Sequence, residues 1–452
     1  MATPPPQPPT IPDELLEEVF IRLPTPDALA CACTSFHRAI KGRAFRRRFR
    51  MLHRPPFLGF MDAGGFHAAQ APHPSDPLAG ALASCAADFS FVPDVVSSSS
   101  YFMPTGVQDE RKGPRWRPCD VRDGRVLLDW RSLYPDPRSS TCGATERRLC
   151  ARHQVSIILM DSRELGDEER CDHPTWTKRE RCNAADFHLA VCDPLSSRYV
   201  LLPTIPEDLA AQPQDRLHGF GPVLAPNTRD DGEEEPFKVI CIARYMMKLV
   251  LFVLPATTMQ WSMLEPPTSP SLERMSCFDC VRCCFYWTRP YGWSDHLMVL
   301  DTRTLRFSTV DLLTGYHLEL SDLPDECFAH RHANAVVMGR EGVLEMFSLV
   351  GQHGSFALYH TSLKNSSQQW KLEKIIQLPG QYHSICTMRA AEGFLFFRGS
   401  PEGIHVGNVD CYSMEVKTYE ITKVRTKMEN TFNPTRALPY FSFPPLLSEP
   451  TI

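Results

Sequence analysis

Apolar positions at the start of the chain recur with a helical period. Leu15, Leu16, Val19, Phe20 and Leu23 fall on one stripe, the signature of an amphipathic helix. Pro12 sits where a helix tolerates it, in the first turn. Asp13 and Glu14 follow, carboxylates at the positive end of the helix dipole. Leu23-Pro24-Thr25-Pro26 ends the helix, because proline cannot continue it. Asp27 is placed to cap a second short helix, Ala28 to Cys33, which carries Leu29. Thr34 and Ser35 are placed to cap a third, with Phe36 and Ile40 on it. Phe45 and Phe49, four apart in a basic run, predict one more helical turn or two. So small a unit has more apolar faces than it can bury alone, and an unburied helical face is a docking surface.

From about His53 the helical period fades and strand patterns take over. Short apolar or alternating runs are parted by turn residues: 124–130, 187–203, 237–243, 248–253, 284–287, 296–310, 334–338, 343–349, 356–360, 393–397 and 403–417. Many short strands at near-regular spacing predict a sandwich, a barrel or a propeller. A weak internal repeat favours the propeller. Each group offers an apolar strand, a turn and a second strand, several ending near Leu-Pro. Asp193-Pro-Leu-Ser196, Asp301-Thr-Arg-Thr304 and Asp410-Cys-Tyr-Ser413 read as the clearest turns, with Pro255-Ala-Thr-Thr258 in a similar place. Asp and Ser/Thr there hydrogen-bond local backbone and fix a bend. The group spacing is close to that of a four-stranded blade, roughly 40–50 residues, which predicts about six blades.

The opening residues 11–50 resemble an F-box. They show a Leu-Pro-x-Glu-Leu-Leu-like start, a Val-Phe pair one turn on, a Leu-Pro break, an Asp-Ala-Leu helix and a Ser-Lys-x-Trp-Arg-like segment. Ile11 replaces the usual leucine before Pro12, and Thr34-Ser-Phe-His-Arg38 stands in the last segment, with Phe36 keeping an aromatic ring. The resemblance implies docking onto the Skp-type adaptor of a cullin–RING ubiquitin ligase. It assigns that role to Pro12, Leu15, Leu16, Val19, Phe20, Leu23, Pro24, Leu29, Phe36 and Ile40. For Leu16, Phe20 and Phe36 a place in the unit's own core is equally consistent. The strand-rich region resembles the F-box-associated, distantly kelch-like propellers of plant F-box proteins. Val191-Cys-Asp-Pro-Leu-Ser-Ser-Arg-Tyr-Val-Leu-Leu-Pro203 and the aromatic–proline ending Leu438 to Pro445 carry that likeness. The organisation expected is a proline-rich tail over 1–10, a helical F-box over 11–52 and a propeller-like domain over 53–452.

Composition narrows the function classes. A net charge of −5 and a pI near 6.4 speak against a general nucleic-acid binder. The first ten residues lack a basic and an apolar region, so they read as a polyproline-like tail and not a secretory signal. The most apolar stretch, Leu249 to Leu254, is strand-sized, far short of a bilayer span. Seventeen cysteines, an odd number, read as free thiols in a reducing compartment, the cytoplasm or the nucleus. The basic run Lys41 to Arg50 is either a nuclear-import signal or, more simply, a solvated helix face. The charged segment 161–181 and the acidic run 230–235 read as solvated loops, or as the rim of a partner-binding face.

Catalytic signatures are missing from the sequence. There is no Gly-x-Ser-x-Gly elbow, P-loop, dinucleotide fingerprint or His-Glu-x-x-His. Cys277, Cys280, Cys283 and Cys284 hold two Cys-x-x-Cys spacings, but four ligands must converge tetrahedrally for zinc. Cys142, Cys150, His153, Cys171, His173 and Cys182 match no standard finger. Trp116 and Trp130 are either an aromatic cage or blade-packing rings. No cofactor, metal, nucleic acid or membrane partner is implied. The resemblance points to a non-catalytic, substrate-recognising subunit of a Skp–cullin–F-box ligase, holding an unknown protein substrate. The rival is a stand-alone propeller that binds a ligand or hydrolyses one, its helical start only a structural cap.

Overall fold

A computed structural model describes residues 12–23, 38, 40–62, 65–83, 89–93, 95, 115–131, 184–210, 217–225, 237–245, 248–266, 279–281, 283–287, 296–312, 335–338, 343–352, 355–364, 369–378, 380, 382–401, 408–428 and 437–444. Two helices come first, α1 (Asp13–Phe20) and α2 (Arg43–Leu52). Twenty-three strands among the described residues then form six antiparallel sheets, the blades of a β-propeller.

The last strand closes the ring. Blade one is built from β1 (Phe57–Asp62) and β2 (Gly65–Ala68) with β23 (Leu438–Phe441), in the order β2–β1–β23. Blade two holds β3 (Arg115–Arg122), β4 (Arg125–Arg131), β5 (His188–Asp193) and β6 (Arg198–Leu201). Blade three holds β7 (Leu217–Ala225), β8 (Lys238–Tyr245), β9 (Leu249–Pro255) and β10 (Ser262–Leu264). Blade four holds β11 (Asp279–Val281), β12 (Cys284–Trp287), β13 (His296–Asp301) and β14 (Arg306–Asp311). Blade five holds β15 (Ala335–Met338), β16 (Leu344–Gln352), β17 (Ser355–Lys364) and β18 (Gln369–Gln377). Blade six holds β19 (Tyr382–Ala391), β20 (Phe394–Pro401), β21 (Asn408–Glu415) and β22 (Ile421–Met428). β23, β3, β7, β11, β15 and β19 are the inner strands. β3 adjoins β7 and β23, and β15 adjoins β11 and β19. The sequence-based expectation of about six blades is met.

The apolar runs of the middle strands follow from this architecture. A blade is covered on both sides by its neighbours, so alternate residues enter alternate cores. On β8, Val239, Cys241 and Ala243 pack against Leu127 and Val191 of blade two. Ile240 and Ile242, between them, pack against Phe285 and Leu300 of blade four. A third cluster joins Leu58 and Tyr440 of blade one to Val126 and Leu128 of blade two. Phe57, Phe60 and Phe441 meet Phe396 and Val424 across the seam between blades one and six. Polar links support the inner ring as well. Asp120 on β3, 1% exposed, accepts from the Leu224 amide of β7 at 2.9 Å and from Arg389 Nη1 of β19 at 3.1 Å.

Turn chemistry repeats from blade to blade. Ser197, Met259, Leu305 and Tyr419 all have φ between 50° and 60°, each closing the turn into an outer strand. Asp193 Oδ1 accepts from the amides of Leu195 and Ser196, and Asp301 Oδ1 from those of Arg303 and Thr304. One expected turn is corrected. Asp410 to Ser413 lie inside β21, and the turn of blade six comes later, at residues 416–418 after Glu415. The reason is pairing. Asp410, Cys411, Tyr412 and Ser413 are matched to both β20 and β22, so their backbone is already committed. The two-residue turns Asp123-Gly124 and Glu392-Gly393 have φ of 52° and 76°, and of 49° and 80°. That is the hairpin conformation that places glycine second.

Candidate functional site

The helical unit has two apolar faces, and they have different fates. Pro12 occupies the N-cap, and its carbonyl accepts from the amides of Leu15 and Leu16. Leu16, Phe20 and Ile21 turn inward onto Ile40, Phe45 and Phe49 of the same unit. Leu15 and Val19, one turn apart, are 58% and 57% exposed. Leu23 is half-buried at the edge of the cluster. The structure therefore separates the residues that the sequence placed on one stripe. Leu16, Phe20 and Ile40 are core, whereas Leu15 and Val19 are surface. Pro24, Leu29 and Phe36 lie outside the described residues, as do the tail 1–10, the segments 161–181 and 230–235, and the second cysteine–histidine set.

The basic run is helix. Phe45 and Phe49 on α2 are fully buried, while Arg47 and Arg48 face outward. Arg48 Nη2 donates to Glu18 Oε1 at 2.7 Å and ties α2 to α1. That bond and the paired charge lower the Glu18 carboxyl and raise the Arg48 guanidinium, both at the surface. Met51 and Leu52 end α2 with 58% and 67% exposure.

The unit is held to the propeller at the end where the inner strands finish. Phe443, just past β23, packs into the helical cluster, its ring edge-on to Phe49 with centroids 5.9 Å apart. His53 stacks on Phe49 at 4.1 Å, and its Nε2 donates to the Ile21 carbonyl at 2.6 Å. Arg54 Nη1 donates to the Glu392 carbonyl in the first turn of blade six, and a Cβ on Gly393 would collide with that guanidinium. The sequence marks Phe443 only as part of the aromatic–proline ending 438–445 and His53 only as a change of pattern, neither as a contact of the helical unit. The run of aromatic residues Tyr440, Phe441 and Phe443 after an otherwise complete strand count is the signal that points to them.

Residues 9–48 match the F-box domain.

No curated protein matches this chain. Among solved structures, a post-proline cleaving enzyme from Rickettsia typhi aligns at 11% identity and a TM-score of 0.30, over 57% of this chain and 35% of that one. A protein from Lactobacillus plantarum aligns at 13% identity and 0.28, over 53% and 65%. TolB from Acinetobacter baumannii aligns at 9% and 0.26, over 52% and 64%. The alignments span less than two thirds of each of these chains, and likenesses so loose carry no argument. The F-box match and the fold together give a small N-terminal helical F-box followed by a six-bladed propeller.

The other sequence candidates resolve into structure. Trp116 and Trp130 are buried, edge to face at 5.2 Å, and Trp116 Nε1 donates to the Pro93 carbonyl. They pack blades one and two rather than form a cage. Cys280 and Cys284 lie on the β11–β12 hairpin, with Cys283 at its turn in a left-handed conformation. Burial pushes the Cys280 thiol up to about 11. Among the described residues no group of three His, Cys, Asp or Glu could hold a metal ion, and no helix is long and apolar enough to cross a membrane. Cys277 lies outside those residues. His73 and Ser413 form a buried pair, Nε2 to Oγ 3.3 Å, that invites a nucleophile reading. The tautomer forbids it. His73 Nδ1 accepts from the Ser75 amide, so Nε2 holds the proton and donates to the hydroxyl. The Ser413 proton goes on to the Thr422 carbonyl.

Proposed function

We propose that this protein is the substrate-recognising subunit of a Skp–cullin–F-box ubiquitin ligase. The F-box would dock the Skp-type adaptor and, through it, the cullin–RING assembly. The propeller would hold a protein substrate near the conjugating enzyme, so that rate comes from proximity and not from side-chain chemistry in this chain. The observation that carries the reading is the exposure of Leu15 and Val19 on a helix whose other apolar face is sealed inside its own unit. Covering two such side chains is worth roughly 2 kcal/mol each. The adaptor-contacting set is then Pro12, Leu15, Val19 and Leu23 on the described surface, with Leu16, Phe20 and Ile40 shaping it from beneath, and Pro24, Leu29 and Phe36 assigned to it by the F-box resemblance alone.

Strand direction supports a division of labour between the two ends of the ring. The helical unit sits where inner strands end, beside the Glu392-Gly393 turn. The connections from β4 to β5, β12 to β13 and β20 to β21 leave from the opposite end, as do those from the outer strands of blades two to six to the next inner strand. Recognition residues on such connections would face away from the adaptor. The buried free thiols Cys192 and Cys241 suit a reducing compartment, cytoplasm or nucleus.

The test is reconstitution with a purified Skp-type adaptor. Leu15→Asp with Val19→Asp should abolish co-elution while the circular dichroism and melting of the chain stay as they were. Undiminished co-elution of that double variant overturns the docking assignment. No co-elution of the intact chain overturns the ligase reading itself.

A further inference from the structure

A carboxylate, an imidazole and a phenol line up across the seam between blades five and six. Glu345 stands on β16, His360 on β17 and Tyr419 in the turn before β22. His360 is 3% exposed. Its Nε2 lies 3.3 Å from Glu345 Oε2, an ion-pair contact off the line of a good hydrogen bond. Its Nδ1 lies 3.0 Å from the Tyr419 hydroxyl. The ring is stacked flat on Phe347, centroids 4.5 Å apart and planes within 6°. Tyr419 is half-buried, and Lys374 Nζ sits 4.3 Å from its ring centroid.

Proton placement follows from the partners. An ionised carboxylate only accepts, so the nitrogen facing Glu345 carries hydrogen. In the neutral ring Nδ1 is then the acceptor, and Tyr419 donates to it. This is the order of a nucleophile, a base and an orienting carboxylate. The His73–Ser413 pair holds the same Nε2–H tautomer, but there Nε2 faces the hydroxyl, so that ring donates to its hydroxyl where His360 accepts from its phenol. The turn supports the placement, because the Tyr419 amide donates to the Glu415 carbonyl at 2.8 Å and fixes the residue.

We propose that Tyr419 is a base-activated phenol, a modification site for tetrahedral phosphoryl or sulfonyl electrophiles. In the step, the phenolic oxygen bonds to the phosphorus or sulfur and the bond to the leaving group breaks. The phenolic proton passes to His360 Nδ1, and the resulting imidazolium faces Glu345 and the face of Phe347. The Lys374 ammonium near the ring favours the negative charge that builds on the phenol. The product loses the hydrogen bond that joins the two blades there. This inference is independent of the ligase reading, since Glu345, His360 and Tyr419 stand in blades five and six and none belongs to the helical unit.

The experiment treats the full chain with an aryl sulfonyl fluoride and maps tyrosine adducts by peptide mass spectrometry, fluoride being the leaving group. Tyr419 should be labelled well ahead of Tyr199, which is 38% exposed. His360→Gln should slow that labelling by about 100-fold, the usual worth of a positioned base. Glu345→Gln, nearly isosteric, decides the matter if His360→Gln misfolds, and should slow the same adduct by about 10-fold or more with the fold intact. Labelling of Tyr419 no faster than of Tyr199, or at an unchanged rate in a folded Glu345→Gln or His360→Gln variant, overturns the proposal.

Discussion

Phe443 meets Phe49 edge to face, 5.9 Å between centroids with the planes at 70°. One ring belongs to the segment after the last strand, the other to a helix near the start of the chain. The contact makes the propeller's exit segment a wall of the F-box core. Phe443→Ala should therefore loosen the helices more than the blades. A half-buried phenylalanine is worth about 1–2 kcal/mol at such a site, below the 3–5 of a fully buried one. Hydrogen exchange on α1 and α2, compared with that on β8 and β9, checks this. Equal protection in the variant and the parent would remove Phe443 from the helical core.

Leu15 and Leu16 are neighbours with opposite roles. Leu16→Ala should cost roughly 2–5 kcal/mol within the helical unit, because it empties a packed position. Leu15→Ala should leave stability within about 0.5 kcal/mol and weaken adaptor binding instead. Denaturant titration and calorimetric binding on the two variants separate the effects.

Asp120 accepts from two other strands, from the buried Leu224 amide and from the half-buried Arg389 Nη1. Asp120→Ala leaves both without their acceptor and should destabilise the ring by about 3–5 kcal/mol. A smaller loss follows from Asp120→Asn, which keeps one carbonyl acceptor. Urea unfolding followed by tryptophan fluorescence reads both.

Burial lowers the pKa of His73 below its ordinary 6.5. Below pH about 6.5 the unfolded chain binds a proton that folded His73 resists, so stability should fall as the pH drops through that range. Protonation would also cost Nδ1 its role as acceptor for the Ser75 amide. In His73→Leu that part of the pH dependence should vanish. Unfolding curves at pH 5 and pH 7.5 for both chains give the comparison, and an identical pH slope in the two would exclude His73 as its source.

Much of the architecture was legible because middle strands are covered on both sides. Residues such as Val239 to Ala243 and Leu249 to Leu254 must be apolar throughout, and they read as strands at once. Outer strands were harder to read. β18 shows Gln369, Lys371, Glu373 and Lys374 to solvent, so its run looks like a loop. Inner strands carry backbone interruptions, as β3 does at Pro118 and β7 at Gly219, each beside a register shift, and β7 again at Gly221 and Pro222. The helical stripe was visible, but spacing alone does not say which of Leu15 and Leu16 faces inward. That choice depends on Phe45 and Phe49, and on a ring from the other end of the chain. The Glu345–His360–Tyr419 alignment had no sequence signature, because its members come from different strands and blades.

Because β23 is the innermost strand of blade one, the ring is completed by the last strand in chain order. Until then β1 has no inner neighbour and the helices lack Phe443. A nascent chain would thus leave greasy surface open on β1 and on the helices until β23 emerges, and chaperone demand should persist to that point.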